Sequence, residues 1–340
     1  MKKNNWIYIF YVLLIILLTT YFSIKIINKN KTTISSERII PLKEDMPQFD
    51  SNFVRPSKNP LIIQELNPNT EQLFDGFFVR LPTTVVKINS DGFRDHEYSI
   101  EKPNNTFRII VLGDSIAFGW GLNISDTWLK QLERKLNNID SDIHFEVLNF
   151  GVPGYNTLQE VEMFKEKGIK YKPDLIIVQF LHNDIMNGSR IQELNVIEIQ
   201  KLNKSFPNLS KEQIFSYAVI NASKLYEEEL NNKPFEETWK IVNDSLHELI
   251  NLTVKKNIHL MIIAWDIFNS SRQMDALKEL VNEYNFYLMD LQDSVYPKYD
   301  YSKMILHPKD QHPSKFACNV ISDELSEKML YYNLTSTKKS

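Results

Sequence analysis

From residue 105 onward the chain alternates between short apolar runs and longer stretches in which apolar residues recur every three or four positions. FRIIVLG (107–113), FEVLNFG (145–151), PDLIIVQF (173–180), IHLMIIAW (258–265) and FYLMDL (286–291) are of the first kind. Runs this short, apolar at almost every position, predict strands buried on both faces. TWLKQLERKLN (127–137), TLQEVEMFKEKGIKY (157–171), FEETWKIVNDSLHELINLTVKKN (235–257), MDALKELVNEYN (274–285) and SKFACNVISDELSEKMLYY (314–332) are of the second kind. Their spacing predicts amphipathic helices. Strands alternating with helices predict an α/β fold, a three-layer α/β/α sandwich around a mostly parallel sheet, over residues 105–335.

The pattern is interrupted at 185–234, which reads as an irregular, partly helical insertion. Ahead of the α/β region, residues 61–104 carry short apolar patches and the turn Asn89-Ser90-Asp91-Gly92, a hairpin-type signal. This stretch is expected to form a small β-containing lead-in packed on the main domain. Residues 28–60, rich in Lys, Asn, Ser, Thr and Pro, have no apolar period and read as a stalk. The interval between Lys3 and Lys25 holds no charged residue. Roughly 20 apolar residues cross a bilayer as a helix, so residues 6–27 are expected to be an uncleaved transmembrane anchor behind a short cytoplasmic tail, 1–5. No A-x-A-like site follows the run, as it would in a cleaved signal peptide. Lys2 and Lys3 on one side nearly balance Lys25, Lys29 and Lys31 on the other, so charge alone does not set orientation. The chain is expected to be a single-pass membrane protein with its main domain outside the cytoplasm.

Composition narrows the chemistry. The chain has 340 residues, 43% of them hydrophobic, and a net charge of -4. That hydrophobic fraction suffices for a large core. The slightly acidic balance, with no long basic run, argues against nucleic acid as a partner. One cysteine, Cys318, excludes an internal disulfide and any Cys-based zinc site.

Ligand sites of a parallel sheet form beyond the carboxyl ends of its strands. There the sequence places Gly113-Asp114-Ser115 after the first strand, Asn149 to Gly154 after the second and Asn183-Asp184 after the third, with Asp310-Gln311-His312-Pro313 before the last helix. A serine, glycines, an asparagine and an Asp/His pair at one edge form an inventory for acyl transfer. Taken singly each has a plainer reading, a turn, a helix cap or a loop dipeptide. Their order along successive strands carries the argument.

VLGDS (111–115), NFGVPG (149–154), HND (182–184) and DQHP (310–313) resemble the conserved blocks of the SGNH/GDSL hydrolase superfamily, in order, and INSDGFRD (88–95) resembles the lead-in of bacterial members. The resemblance covers about residues 88–332. It implies a flavodoxin-like sheet and a serine hydrolase without metal or organic cofactor. Ser115 is then the nucleophile and His312 the general base. Asp310 is the orienting acid, and Ser115, Gly154 and Asn183 supply the oxyanion hole. Two residues depart from the pattern. Leu181 stands where the third block has glycine, and Lys309 stands three before His312 where an acid is common. Asp310 is the first candidate for that acid, with Asp290 and Asp293 as alternatives. His307 is a decoy beside the true histidine, and His182 reads equally as pocket-lining or surface. Phe118, Trp120 and Trp128 read as core, and Arg94 as a solvated lead-in residue. The activity implied is cleavage of carboxylic, including O-acetyl, esters on a small molecule or glycan. The alternatives are an O-acyltransferase modifying a cell-surface polysaccharide and a catalytically silent glycan-binding protein. Membrane lipid is the partner expected of the N-terminal helix.

Overall fold

A computed structural model of the protein describes residues 53–335, apart from 77–78, 140–141, 210 and 266–270. The expected tail, anchor and most of the stalk lie outside the described residues. Among those that are described, no helix is long and apolar enough to cross a membrane.

The chain enters through two small antiparallel ladders. β1 (Val54–Pro56) pairs with β2 (Gln64–Leu66), and β3 (Glu71–Phe74) with β4 (Thr84–Lys87). β1 falls within 28–60, so the folded region starts earlier than the apolar pattern predicts. Three residues paired to one partner are too few to show a period. The turn at Asn89–Gly92 forms, with Gly92 at φ 86°, but it does not join hairpin strands. Asn89 Oδ1 instead accepts from the N–H groups of Asp91 and Phe93 and folds the chain towards Arg94.

Five strands then form one parallel sheet: β5 (Thr106–Gly113), β6 (His144–Gly151), β7 (Leu175–Phe180), β8 (His259–Ala264) and β9 (Tyr287–Asp290). Their order is β6-β5-β7-β8-β9, the flavodoxin-like arrangement, and every pairing is parallel. β5 is buried at all eight positions because strands flank it and helices cover both its faces.

Besides two short helical turns at Leu291–Ser294 and Tyr301–Met304, the α-helices described are α1 (Ser115–Phe118), α2 (Trp128–Asn137), α3 (Thr157–Met163), α4 (Gly188–Ser205), α5 (Lys211–Asn231), α6 (Phe235–Lys256), α7 (Ser271–Tyr284) and α8 (Lys315–Tyr331). Strand alternation divides the core in two. Ile110, Leu112, Val178 and Ile262 face α3, α6 and α7 through Val161, Val242, Leu246 and Leu277. Ile109, Val111, Ile177 and Ile263 face α2 and α8 through Leu129, Leu132, Ile321 and Leu325. The lead-in joins the first layer, where Phe53, Leu66, Phe74, Val86 and Phe93 are buried.

Two elements differ from the sequence expectation. The helix predicted over 157–171 is α-helical only to Met163. It widens into a π-helical turn at Phe164–Gly168 and tightens at Ile169–Tyr171. A Cβ on Gly168 would stand 2.5 Å from the Phe164 ring, so the widened turn depends on the missing side chain. The insertion is not irregular. α4 and α5 pair over their own apolar contacts, Leu194 with Ala222 and Tyr226, and Leu202 with Ile214 and Ala218. The buried Glu198, bonded to Lys201 and Asn221, interrupts the apolar repeat and hides it from the pattern.

Candidate active site

β5 ends at Gly113, where a Cβ would lie 2.5 Å from Gln179 Oε1. Only glycine allows the buried Gln179 amide to approach closely enough to accept from the backbone N–H groups of Asp114 and Ala117, both at 3.2 Å. The Asp114 side chain caps α1 by accepting from Ile116 N at 2.9 Å. Ser115 is the first residue of that helix.

Arg94 fixes the far end of α1. It is 1% exposed, not solvated as the sequence reading has it. Its guanidinium donates to the carbonyls of Phe118 (3.2 Å), Gly119 (2.6 Å) and Leu122 (2.6 Å) and lies over the Phe118 ring. These carbonyls lie at and beyond the end of α1, and a planar donor fork suits several at once. Burial lowers the guanidinium pKa to about 10, which leaves it charged at neutral pH. Its neighbour Asp95 accepts from Asn149 N at the end of β6 and pairs with Lys130 of α2 at 2.8 Å. The lead-in therefore braces the loops that carry the second and first blocks.

After β6, Gly154 sits at φ 80°, a conformation that favours glycine, with nothing within 4 Å of where a Cβ would be. After β7, Leu181 has φ −129° and ψ 158°. This is extended backbone that leucine adopts without strain, so the departure from glycine at this position needs no backbone compensation. The next turn is held by the buried Asp184, which accepts from Leu181 N (2.6 Å) and Thr157 Oγ1 (2.9 Å). Asn183 Nδ2 donates to Asp114 Oδ2 at 3.2 Å, which ties the third block to the first. A carboxamide carries two N–H bonds, so one such contact leaves a second available to a ligand.

Asp310 and His312 lie on β11 (Asp310–Pro313), which pairs with β10 (Ile305–His307). Residues two apart on a strand share a face, which is why this D-x-H spacing brings the two side chains together. Asp310 Oδ1 is 2.6 Å from His312 Nδ1, and His312 Nε2 is 2.7 Å from Ser115 Oγ. Burial alone would raise the Asp310 carboxyl. The hydrogen bonds and charge of His312, with a bond from Trp120, outweigh that and hold it below the usual range. An ionised carboxylate only accepts, so Nδ1 carries the proton and Nε2 accepts from the serine hydroxyl. Lys309 is exposed and bonds through its backbone to His307. Asp290 caps the turn at Gln292, and the carboxylate at His312 Nδ1 is that of Asp310. The structure thus brings Ser115, His312 and Asp310 into contact, and Asn183 reaches them through Asp114.

Three residues beyond the sequence candidates shape the site. Trp120 Nε1 donates to Asp310 Oδ2 at 3.2 Å, and its ring stacks on His312. Gln179 and Asp114 position α1 and Asn183. Burial raises the Asp114 pKa, offset only in part by the Ile116 N–H and Asn183. Asp114 lies in VLGDS, Trp120 in the FGWG just after it, and Gln179 in the third strand. Among the described residues, no group of three or more His, Cys, Asp or Glu side chains is arranged to hold a metal.

Among solved structures the chain is similar to the psychrotrophic esterase EstA from Pseudoalteromonas sp., with 16% identity over 68% of this chain and 99% of that one and a TM-score of 0.43. The lipase/acylhydrolase from Enterococcus faecalis aligns at 13% identity over 69% and 100%, with a TM-score of 0.38. The acetyl xylan esterase AlAXEase aligns at 12% over 65% and 99%, with a TM-score of 0.41. No curated protein matches the chain. The model of the GDSL-like lipase/acylhydrolase family matches residues 111–315, from the end of β5 to the start of α8. That span exceeds half of the chain and contains every block just described, so the protein belongs to the GDSL-like lipase/acylhydrolase family and is an ester hydrolase.

Proposed function

We propose that the protein cleaves carboxylic esters, O-acetyl esters of glycans among them, through an acyl-Ser115 intermediate. The observation that carries this reading is the continuous hydrogen-bonded line from Asp310 through His312 to Ser115 Oγ, at 2.6 and 2.7 Å. His312 takes the serine proton as Oγ attacks the acyl carbonyl, and returns it to the leaving alcohol. Asp310 keeps Nδ1 protonated and stabilises the imidazolium. Ser115 N, Gly154 N and Asn183 Nδ2 are the donors for the oxyanion. Water, activated by His312, then releases the acid. A sugar hydroxyl in place of water would make the same residues an O-acyltransferase. The uncharged run between Lys3 and Lys25 supports a membrane anchor, with the catalytic domain outside the cytoplasm.

Fluorophosphonate labelling followed by a panel of aryl esters and acetylated glycans tests the proposal. Ser115→Ala is expected to abolish both labelling and turnover while the fold persists, because such a change typically moves stability by about 0.5 kcal/mol or less. Turnover near wild type in Ser115→Ala removes the nucleophile assignment. Acyl transfer to a glycan that outpaces hydrolysis replaces the esterase reading with the transferase.

A further inference from the structure

Trp120 lies in the loop after α1, 7% exposed, where a core aromatic would be expected. It belongs to the core cluster that also holds Phe74 and Phe118, but it meets polar groups as well. The indole plane lies within 20° of the His312 imidazole, with ring centroids 5.2 Å apart. Its Nε1–H reaches Asp310 Oδ2 at 3.2 Å, while His312 Nδ1 takes Oδ1 at 2.6 Å. One side chain therefore touches both partners of a single hydrogen bond, from a position 190 residues away in the chain. Phe74 of β3 packs its ring against the indole edge-to-face, at 4.7 Å and 72°, so the lead-in braces Trp120 in turn.

The torsions that orient these two groups are soft. The last side-chain torsion of Asp and of His has a broad, shallow profile. A carboxylate bonded through one oxygen can still pivot, whereas donors on both oxygens fix its plane. An indole stacked on the imidazole restricts the other ring. We propose that Trp120 is a positioning residue for the reaction: it locks the Asp310–His312 pair so that Nε2 stays directed at Ser115. This rests on Ser115 being the nucleophile.

The test uses the full-length protein in detergent. Trp120→Phe keeps an aromatic ring and removes the N–H; Trp120→Leu removes both. Loss of a hydrogen bond to a charged group, read as misdirected base, predicts kcat about tenfold lower in Trp120→Phe and about 100-fold lower in Trp120→Leu, with KM within about twofold. The low-field proton resonance of His312 Nδ1–H, present in the wild type and in Ser115→Ala, is expected to weaken or move upfield in both variants. Circular dichroism matched to wild type separates this from misfolding, and if Trp120→Leu does not fold, Trp120→Phe decides. Wild-type kcat in Trp120→Phe, a raised KM with kcat unchanged, or lowered kcat with an unaltered resonance each overturns the proposal. Activity surviving in Ser115→Ala is a different failure, that of the nucleophile assignment.

Discussion

At the scale of single residues, the decisive pair is Asp310 and His312. A D-x-H spacing on an extended strand puts carboxylate and imidazole on one face, whereas Lys309 offers no acceptor at all. Asp310→Asn is expected to lower kcat strongly, by up to about 10⁴-fold as when an orienting acid is lost. Asp290→Asn and Asp293→Asn should change it little, and the reverse ranking would move the acid elsewhere. A stability effect follows from the same carboxyl. Its folded pKa lies below the ordinary 3.8. The stability it contributes is therefore present above 3.8 and lost as pH falls through the lower folded value. The Tm of wild type relative to Asp310→Asn should therefore fall across that acid window. Asn183→Ala is expected to reduce kcat by about 10²–10³ with a smaller change in KM, the mark of an oxyanion donor. A raised KM with unchanged kcat would make Asn183 a substrate-binding residue instead.

Among the elements, α3 holds the least comfortable arrangement. Thr157 at its start bonds Asp184, and one turn later Glu160 is buried with neither carboxylate oxygen hydrogen-bonded to a described residue. Burial raises both carboxyls well above their ordinary values, and the charges of Asp184 and Asp114 add to the effect on Glu160. A carboxyl with a raised folded pKa contributes stability that is fully present below its unfolded value, 4.5 for Glu160, and lost as pH rises through the folded value. Glu160→Gln removes that dependence. Its Tm relative to wild type should rise as pH climbs above 4.5, by some 2–4 °C for each kcal/mol recovered. A difference that does not change with pH would mean that Glu160 is not held neutral. This cluster was invisible in the sequence, because its members come from three separate segments. The strands were visible: five apolar runs predict five strands to within one or two residues at either end, since burial leaves few polar positions to blur them. The catalytic blocks were visible for a different reason, their order at strand ends. Arg94, Trp120 and the α4–α5 pair were not. A buried arginine looks like any surface arginine in one sequence, an aromatic beside a serine looks like core, and Ala218 and Ala222 give a helix interface too little bulk to show as a stripe.

For the whole molecule, the question is what the catalytic domain is attached to. The folded region described begins at Phe53 and holds Ser115, Asn183 and His312 at the carboxyl edge of the sheet. Ahead of it lie residues that include the uncharged interval between Lys3 and Lys25, with Trp6, Tyr8 and Tyr21 near its ends. Aromatic residues at both limits of an apolar run suit the two interfaces of a bilayer. A chain of this kind is expected to stay in the membrane fraction after carbonate extraction and to be released only by detergent. Its mature N-terminus should lie before residue 6, because no small-residue cleavage site follows the run. The nearly balanced lysines leave orientation to experiment, and protease added to intact cells should cleave a domain that faces outward while sparing one that faces in. A mature N-terminus beyond residue 25, or release by carbonate alone, would show that the interval is a removable leader or a peripheral segment. The enzyme would then act free of the membrane, and its substrates need not lie near one.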